Sequence, residues 1–417
     1  MPLRLVADSA LDARRRISSW LARSGSESIS FTQPYVYVCR DLRTLHTVRR
    51  HHEIAAFGIE QNHSFESEGT FTPRGGYYAQ LGIIALVAGR NQDLRLDIVH
   101  EMTHVVLEKY FGVLEDVIDE GLAEVLSPWI LFTESTSPRQ TPITNINHAN
   151  QCSTTLADGQ LPNLRTLFLL DYWQFRDKQS DNLYFALSWS LVDFLLRTDD
   201  PRFANLFPKF LNRARSLGSA WRALAEVYDI RTLWSAWHNH LVEFSQLHWH
   251  TKWGQWYMLG DRIVGSLRTP GLAMCIYQQS LEPPFDVSFR LPRGLTSRQS
   301  AGCVLGHGLD AYYAVQIRFG GREINLSQYR GGQWAGNHPA IQIDSGVTLS
   351  DRSIVVRCKP SGEILVSLSG EVLARFLAAP DSLSGRTGLI MELRQEDDQE
   401  FSRGDVLFES VRIKRLQ

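Results

Sequence analysis

The sequence predicts an α+β domain followed by an all-β antiparallel sandwich, and three observations carry that prediction. Up to about residue 247, after the first strands, apolar residues recur mainly at helical spacing. Around "HWHTKWGQWYMLGDRIVG" (248–265) the character changes once. Beyond it, short alternating segments follow one another at regular spacing, separated by Gly- and Ser-containing turns. At 417 residues two domains are the ordinary expectation. The change of pattern divides them as 1–250 and 253–417.

The first element is an amphipathic helix in "MPLRLVADSALDARRRISSWLARS", with Leu11, Ile17, Trp20 and Leu21 on or near one side. It has no apolar core of the kind a signal peptide needs. Residues 93–112, "DLRLDIVHEMTHVVLEKYFG", form the next clear helix. Leu94, Ile98, Met102 and Val105/Val106 recur at its period, Asn91 and Asp93 are capping types, and Gly112 suits a left-handed helix end.

This helix carries His100, Glu101 and His104 in the order HExxH. Positions i and i+4 of a helix are stacked neighbours, so two imidazoles can point at one ion. Glu101 lies one step round, placed to reach a water on that ion rather than to ligate it. A catalytic zinc takes three protein ligands and keeps one position open. The third candidate lies in "VIDEGLAEVLSP" (117–128), where Val117, Ile118, Leu122, Val125 and Leu126 mark a second helix and Pro128 is expected to end it. The short link at 112–114 folds this helix back beside the first. Glu120 would complete a His-His-Glu site for one zinc ion per chain. Glu124, one turn on, would accept a hydrogen bond from the free nitrogen of a ligand histidine. Gly121 costs roughly 1 kcal/mol inside a helix, and makes sense if the two helices approach closely.

HExxH followed by an "EGLAE" helix resembles the gluzincin metallopeptidases, and more narrowly the bacterial peptidase MA-like group related to the zinc aminopeptidases. The resemblance covers about residues 30–245. "PYVYVCRDLRTLHTV" (34–48) resembles the family's early strand-then-helix unit, and "GGYYAQLGIIALVAG" (75–89) its edge strand, which pairs with the substrate backbone. "LYFALSWSLVDFLL" (183–196) resembles the helix that carries a transition-state tyrosine, which makes Tyr184 the candidate. The register that aligns Ser188 with the family's small residue puts Phe185 there instead. The resemblance implies a zincin-type, thermolysin/aminopeptidase-like catalytic domain hydrolysing peptides or proteins. Water would be activated at the metal, with Glu101 as general base, Tyr184 assisting the oxyanion, and residues 82–87 aligning the substrate. The aminopeptidases' Gly-x-Met-Glu-Asn motif is missing from "QLGIIALVAG", which favours an endopeptidase.

Within the first half lies a polar stretch, "TESTSPRQTPITNINHANQCSTTLADGQ" (133–160), read as a disordered insert or a loop bordering the cleft. In the second half, "FDVSFRL" (285–291) alternates with Phe285, Val287, Phe289 and Leu291 on one face. "YYAVQIRF" (312–319) does so with Tyr313, Val315, Ile317 and Phe319. The strand order resembles concanavalin-like or laminin-G-like jelly rolls over 253–417. That implies a binding domain for a glycan or a protein. Trp253 and Trp256 are expected in the core. Trp334 in "GGQWAGNH" is expected on an exposed loop, where it could stack on a sugar ring.

Other histidines compete less well for metal. Two apart on a helix, as in "HNH" (238–240), they face away from each other. "HWH" (248–250) puts both on one side of a strand. His51 and His52 are expected at the surface. A net charge of −2 argues against a nucleic-acid partner. No apolar run is long enough to span a membrane. Five scattered cysteines without a CxxC pair fit reduced thiols, so a cytoplasmic location is expected. Two other readings stay open: an adhesion or interaction protein with an inactive or structural zinc site, and a zinc hydrolase acting on a non-peptide substrate.

Overall fold

The computed structural model describes residues 3–23, 34–57, 75–78, 81–87, 94–176, 182–267, 271–292, 295–308, 311–318, 322–331, 333–344, 352–394 and 404–416. The chain forms two compact units. One consists of Met1–Arg90, Leu94–Ile143 and His148–Gln246, the other of Thr144–Asn147 and Leu247–Gln417. Asn91 and Asp93, the expected capping residues, lie outside the described residues, as does Phe319.

The first unit opens with α1 (Leu3–Arg23), β1 (Tyr35–Cys39), α2 (Leu42–Phe57), β2 (Gly75–Tyr78) and β3 (Ile83–Val87). In α1, Val6, Ala10, Ala13, Ile17, Trp20 and Leu21 are buried at helical spacing, while Leu11 falls on the solvent side at 46% exposure. The sheet runs β1-β3-β2, with β1 parallel and β2 antiparallel to β3. This corrects the reading of residues 82–87 as an edge strand. Both edges of β3 are taken, and Ile83, Ile84, Ala85 and Leu86 are buried on both faces, as a central strand requires. A substrate cannot add to it.

Next come α3 (Arg95–Phe111) and α4 (Asp116–Phe132). Gly112 closes α3 at φ 75°, its N–H donating to the Glu108 carbonyl at 2.8 Å. Asp97 in the first turn and Lys109 in the last suit the helix dipole. Pro128 does not end α4. It only removes one backbone donor, and the helix continues through the buried Trp129 and Ile130. Arg16 of α1 then serves the free carbonyls at the C-terminal end of α4. It donates to the carbonyls of Ile130 at 2.5 Å, Thr133 at 2.9 Å and Ser135 at 2.9 Å, with its guanidinium over the Trp129 ring.

The polar stretch 133–160 is largely ordered: it contains a short strand, β4 (Thr144–Asn145), and a helix, α5 (Ile146–Ala157). Ile146, Ala149 and Cys152 are buried at helical spacing, a pattern diluted in the sequence by the Asn, Ser and Thr between them. The unit continues with α6 (Leu164–Phe168), α7 (Tyr172–Phe175), α8 (Leu183–Arg197), α9 (Phe207–Leu217), α10 (Ala220–Val227) and α11 (Ile230–Phe244). No described helix is long and apolar enough to cross a membrane.

Gly121 does mark a close helix approach, but to α8 rather than α3. A Cβ there would lie 2.6 Å from the Ser188 carbonyl oxygen and 2.7 Å from Val192 Cγ2.

The second unit contains β5 (Trp249–Trp253), β6 (Gln255–Leu259), β7 (Arg262–Ser266), β8 (Gly271–Leu281), β9 (Phe285–Arg290), β10 (Gln299–His307), β11 (Ala311–Arg318), β12 (Glu323–Arg330), β13 (Gln333–Asn337), β14 (Ile341–Gln342), β15 (Ser353–Cys358), β16 (Glu363–Leu368), β17 (Glu371–Leu377), β18 (Gly385–Leu393) and β19 (Asp405–Arg415). One eight-stranded sheet runs β13-β12-β11-β10-β18-β8-β5, with β14 also on β12; the other runs β17-β16-β15-β9-β19-β7-β6-β4. Phe285, Val287 and Phe289 of one sheet share a buried core with Cys275, Cys303, Leu305 and Val315 of the other. This is an antiparallel β-sandwich. Trp256 is fully buried, whereas Trp253 is 39% exposed. Trp334 is 44% exposed but lies on the edge strand β13, not in a loop. All five cysteines are buried and free.

The Gly121 contact gives a prediction. Gly121→Ala gains about 1 kcal/mol of helix propensity, but its methyl group meets a backbone oxygen that cannot rotate away. Overpacking of this kind costs typically 1–3 kcal/mol. The variant is expected to be less stable than wild type, read as a lower urea midpoint of the helical circular dichroism signal. An unchanged or higher midpoint would show that α4 and α8 are not packed this closely.

Candidate metal centre

The α3 and α4 helices pack side by side and bring three ligand types together. His100 and His104 stand one turn apart on α3, their ring centroids 4.9 Å apart. Glu120 projects from α4 and is only 3% exposed. Its Oε2 lies 3.1 Å from His100 Nε2 and 3.6 Å from His104 Nε2. One ligand atom from each residue falls within 4.8 Å of the others, and among the described residues no other group of three or more His, Cys, Asp or Glu side chains converges this way. Donors held 2.0–2.1 Å from a tetrahedral zinc sit about 3.4 Å from one another. Two neutral imidazoles and one carboxylate at these separations fit that ion without large movement.

The surrounding groups orient the three. His104 Nδ1 is 2.8 Å from Asp119 Oδ2. With Nδ1–H donating to Asp119, Nε2 is turned toward Glu120. Arg176 donates to Glu120 Oε1 and, at 3.3 Å, to Asp116 Oδ2, so Glu120 presents Oε2 to the imidazoles. Glu124 lies on the His100 side. Its Oε1 is 3.5 Å from His100 Nδ1, and its Oε2 is 3.0 Å from His148 Nε2.

Sequence reasoning missed Asp119, His148 and Arg176. Asp119 was visible as the acid preceding Glu120, but adjacent helix positions point about 100° apart, and nothing in the string says that both meet α3. His148 falls in the polar stretch that hides α5. Arg176 comes from a distant turn after α7.

Charge in the cluster is set by the partners, which outweigh burial. Burial opposes ionisation of Glu120, but the nearby His104 charge, hydrogen bonds from both imidazoles and the Arg176 charge outweigh it and hold the carboxyl well below the usual range. Burial likewise works against His104, and Asp119 and Glu120 outweigh it, holding the imidazole well above its ordinary value. His100 is raised in the same way, chiefly by Glu120 against burial.

Glu101 occupies a different position. Its Oε2 accepts from the Tyr77 backbone N–H at 2.7 Å, and the Tyr77 hydroxyl donates to Glu108 Oε2 at 2.5 Å. Burial raises the Glu101 carboxyl, and this exceeds the lowering by His100 and His104. Tyr184 is half-buried, its ring 6.0 Å from that of Phe175. Among the described residues no hydrogen bond ties its hydroxyl to His100, His104 or Glu120. The HNH histidines do not gather ligands: His240 lies beside Asp193 and Glu243, at 3.7 and 3.5 Å. His52 is half-buried rather than at the surface, its Nε2 2.7 Å from the Tyr37 hydroxyl.

No protein-family model matches the chain, and no curated protein matches it. Solved structures are similar to part of it. The carbohydrate binding module CBM66 from Bacillus subtilis is 13% identical, with 40% of this chain and 95% of that one covered and a TM-score of 0.31. A β-1,3-glucanase from Mycobacterium marinum is 10% identical, with 39% and 81% covered and a TM-score of 0.30. The galectin LEC-6 of Caenorhabditis elegans is 10% identical, with 37% and 96% covered and a TM-score of 0.24.

Two predictions follow from the cluster. Asp119→Asn removes the carboxylate that orients His104 and is expected to weaken zinc binding about 10- to 100-fold, measured by competition with a chromophoric chelator. Unchanged affinity would reduce Asp119 to a surface acid. Zinc must also displace the proton that His104 holds above its ordinary pKa. Affinity should therefore rise with pH through the neutral range, by up to about tenfold per pH unit for each proton released. Calorimetry in buffers of different ionisation enthalpy counts those protons. Binding that releases none would contradict the raised imidazole.

Proposed function

We propose that the chain is a zinc-dependent peptidase, with hydrolysis in its helical unit and substrate, glycan or protein binding in its sandwich. The observation that carries this reading is the pairing of a His-His-Glu cluster with a fourth group, Glu101, which lies beside the cluster without joining it. A site built only to stabilise the fold has no use for that carboxylate.

His100, His104 and Glu120 would hold the metal, Asp119 and Glu124 flank the imidazoles, and Arg176 keeps one carboxylate oxygen occupied. Zinc, when bound, supplies the Lewis acidity that brings the pKa of water toward about 7. The remaining steps fall to side chains and backbone. Glu101, its acidity reduced by burial, accepts a proton from the attacking water and returns it to the leaving nitrogen. The Tyr77 N–H fixes the carboxylate while it does so. That N–H points away from β3, so the edge of β2 opposite β3 is turned toward Glu101. Strand addition by a peptide would use β2, which favours a peptide substrate over a compact one. Tyr184 takes no part in this scheme.

The test compares zinc content and peptide cleavage in wild type, His104→Ala and Glu101→Gln. His104→Ala is expected to lose most of its zinc. Glu101→Gln should keep about one zinc per chain while hydrolysis falls by the 10² to 10⁴ typical of a lost general base. Wild-type protein that binds no zinc ends the reading. Full zinc with no cleavage across a mixed peptide library, but turnover of another substrate, would make it a hydrolase of a different class.

A further inference from the structure

One row of side chains crosses the outer face of the sandwich sheet; its middle, Tyr312, belongs to the small apolar cluster on that face, while its two ends are exposed. In β11, Tyr313 and Val315 point into the shared core, so Tyr312 points to the opposite face. Strand pairing extends a row from it. Tyr312 pairs with Tyr329 of β12, Tyr329 with Trp334 of β13, and on the other side His307 of β10 pairs with Arg386 of β18. The rings touch in sequence. Tyr312 stacks on Tyr329 at 4.8 Å and 17°, and on His307 at 5.5 Å and 24°. Trp334 meets Tyr329 edge-on at 5.4 Å and 82°. With strands about 4.8 Å apart, five adjacent strands carry the row across about 19 Å.

The ends of the row differ in character. Trp334 is 44% exposed. At the other end the charges are cationic. Arg386 and Lys252 are exposed, and together with burial both hold the His307 imidazole below its ordinary value. Among the described residues no carboxylate pairs with Arg386 or Lys252. Within the row, the Tyr312 hydroxyl and His307 Nε2 are buried without a hydrogen-bond partner, although Tyr312 is only 2% exposed.

We propose that this row binds an acidic oligosaccharide, one sugar ring lying on Trp334 and a uronate carboxylate reaching Arg386 and Lys252. The chemistry selects that class. The exposed Trp334 ring accepts the C–H face of a pyranose ring. A planar guanidinium matches a carboxylate in two-point fashion. A neutral glycan would leave the cations unused, and a simple polyanion would leave the rings unused. The inference rests on the binding role given to the sandwich and not on the zinc chemistry.

The experiment uses the full chain and a panel of uronic-acid oligosaccharides from the galacturonate, glucuronate, mannuronate and guluronate series. Their methyl-esterified counterparts and poly-glutamate serve as controls, and calorimetry supplies the readout. At least one acid series should bind, and its ester should bind at least about tenfold more weakly. Trp334→Ala should lose at least about tenfold for acid and ester alike. Arg386→Gln should lose the preference for the acid while keeping the weak binding of the ester. Zinc content and peptide cleavage should stay unchanged in both variants, which separates this proposal from the peptidase reading. The proposal is overturned if no series binds, if poly-glutamate binds as well as the sugars, or if neither substitution alters binding.

Discussion

The helical unit depends on how a buried carboxylate is kept charged. Glu120 is almost fully removed from water, and an unpaired carboxylate there would be prohibitively costly. Two imidazoles on α3 and the Arg176 guanidinium surround it instead. The partners come from two separate places in the chain, so that single requirement holds α3, α4 and the turn after α7 in register. Asp119 and Asp116 on the same helix extend the pairing outward to His104 and Arg176.

Packing around α4 makes this possible. The helix is buried on nearly every side, from Val117 through Ile130. Gly121 lets the α8 backbone lie against the turn that carries Glu120, and Arg16 satisfies the carbonyls at its C-terminal end. A helix so enclosed has little freedom to rotate, which is what a ligand side chain needs if its oxygen is to stay within a few tenths of an ångström of a coordinating position. Glu101 is fixed by another route, the backbone of β2, so it is held independently of the His-His-Glu cluster.

The sandwich solves a different problem. Its inner faces interdigitate around Phe285, Phe289 and Phe408, while part of the outer face of one sheet is also apolar, through Met274, Ile276, Val304 and Ile390. Sheets with one wet face read as clean alternation. Here "YYAVQI" has apolar residues at both parities, because Tyr312 and Ala314 are as buried as Tyr313 and Val315. The double burial explains why the aromatic row was not legible from alternation alone.

Much of the His-His-Glu cluster was legible in the sequence, because it is local. His100 and His104 are neighbours through the 3.6-residue period, and Glu120 is one short turn away, so spacing alone places all three near one point. The strands of the sandwich were legible for the same reason, their period of two being a property of consecutive residues. What the tertiary structure decided was every relation between distant segments. It made β3 central and β2 the edge, gave Gly121 to α8, carried α4 through Pro128, and kept Tyr184 against Phe175. It also brought Asp119, His148 and Arg176 to the ligands, and Trp334, Tyr312 and Arg386 into one row. Periodicity reports which face of an element is apolar. It carries no information on which other element covers that face, since any apolar surface of similar shape would serve, and that choice is made only when the whole chain packs.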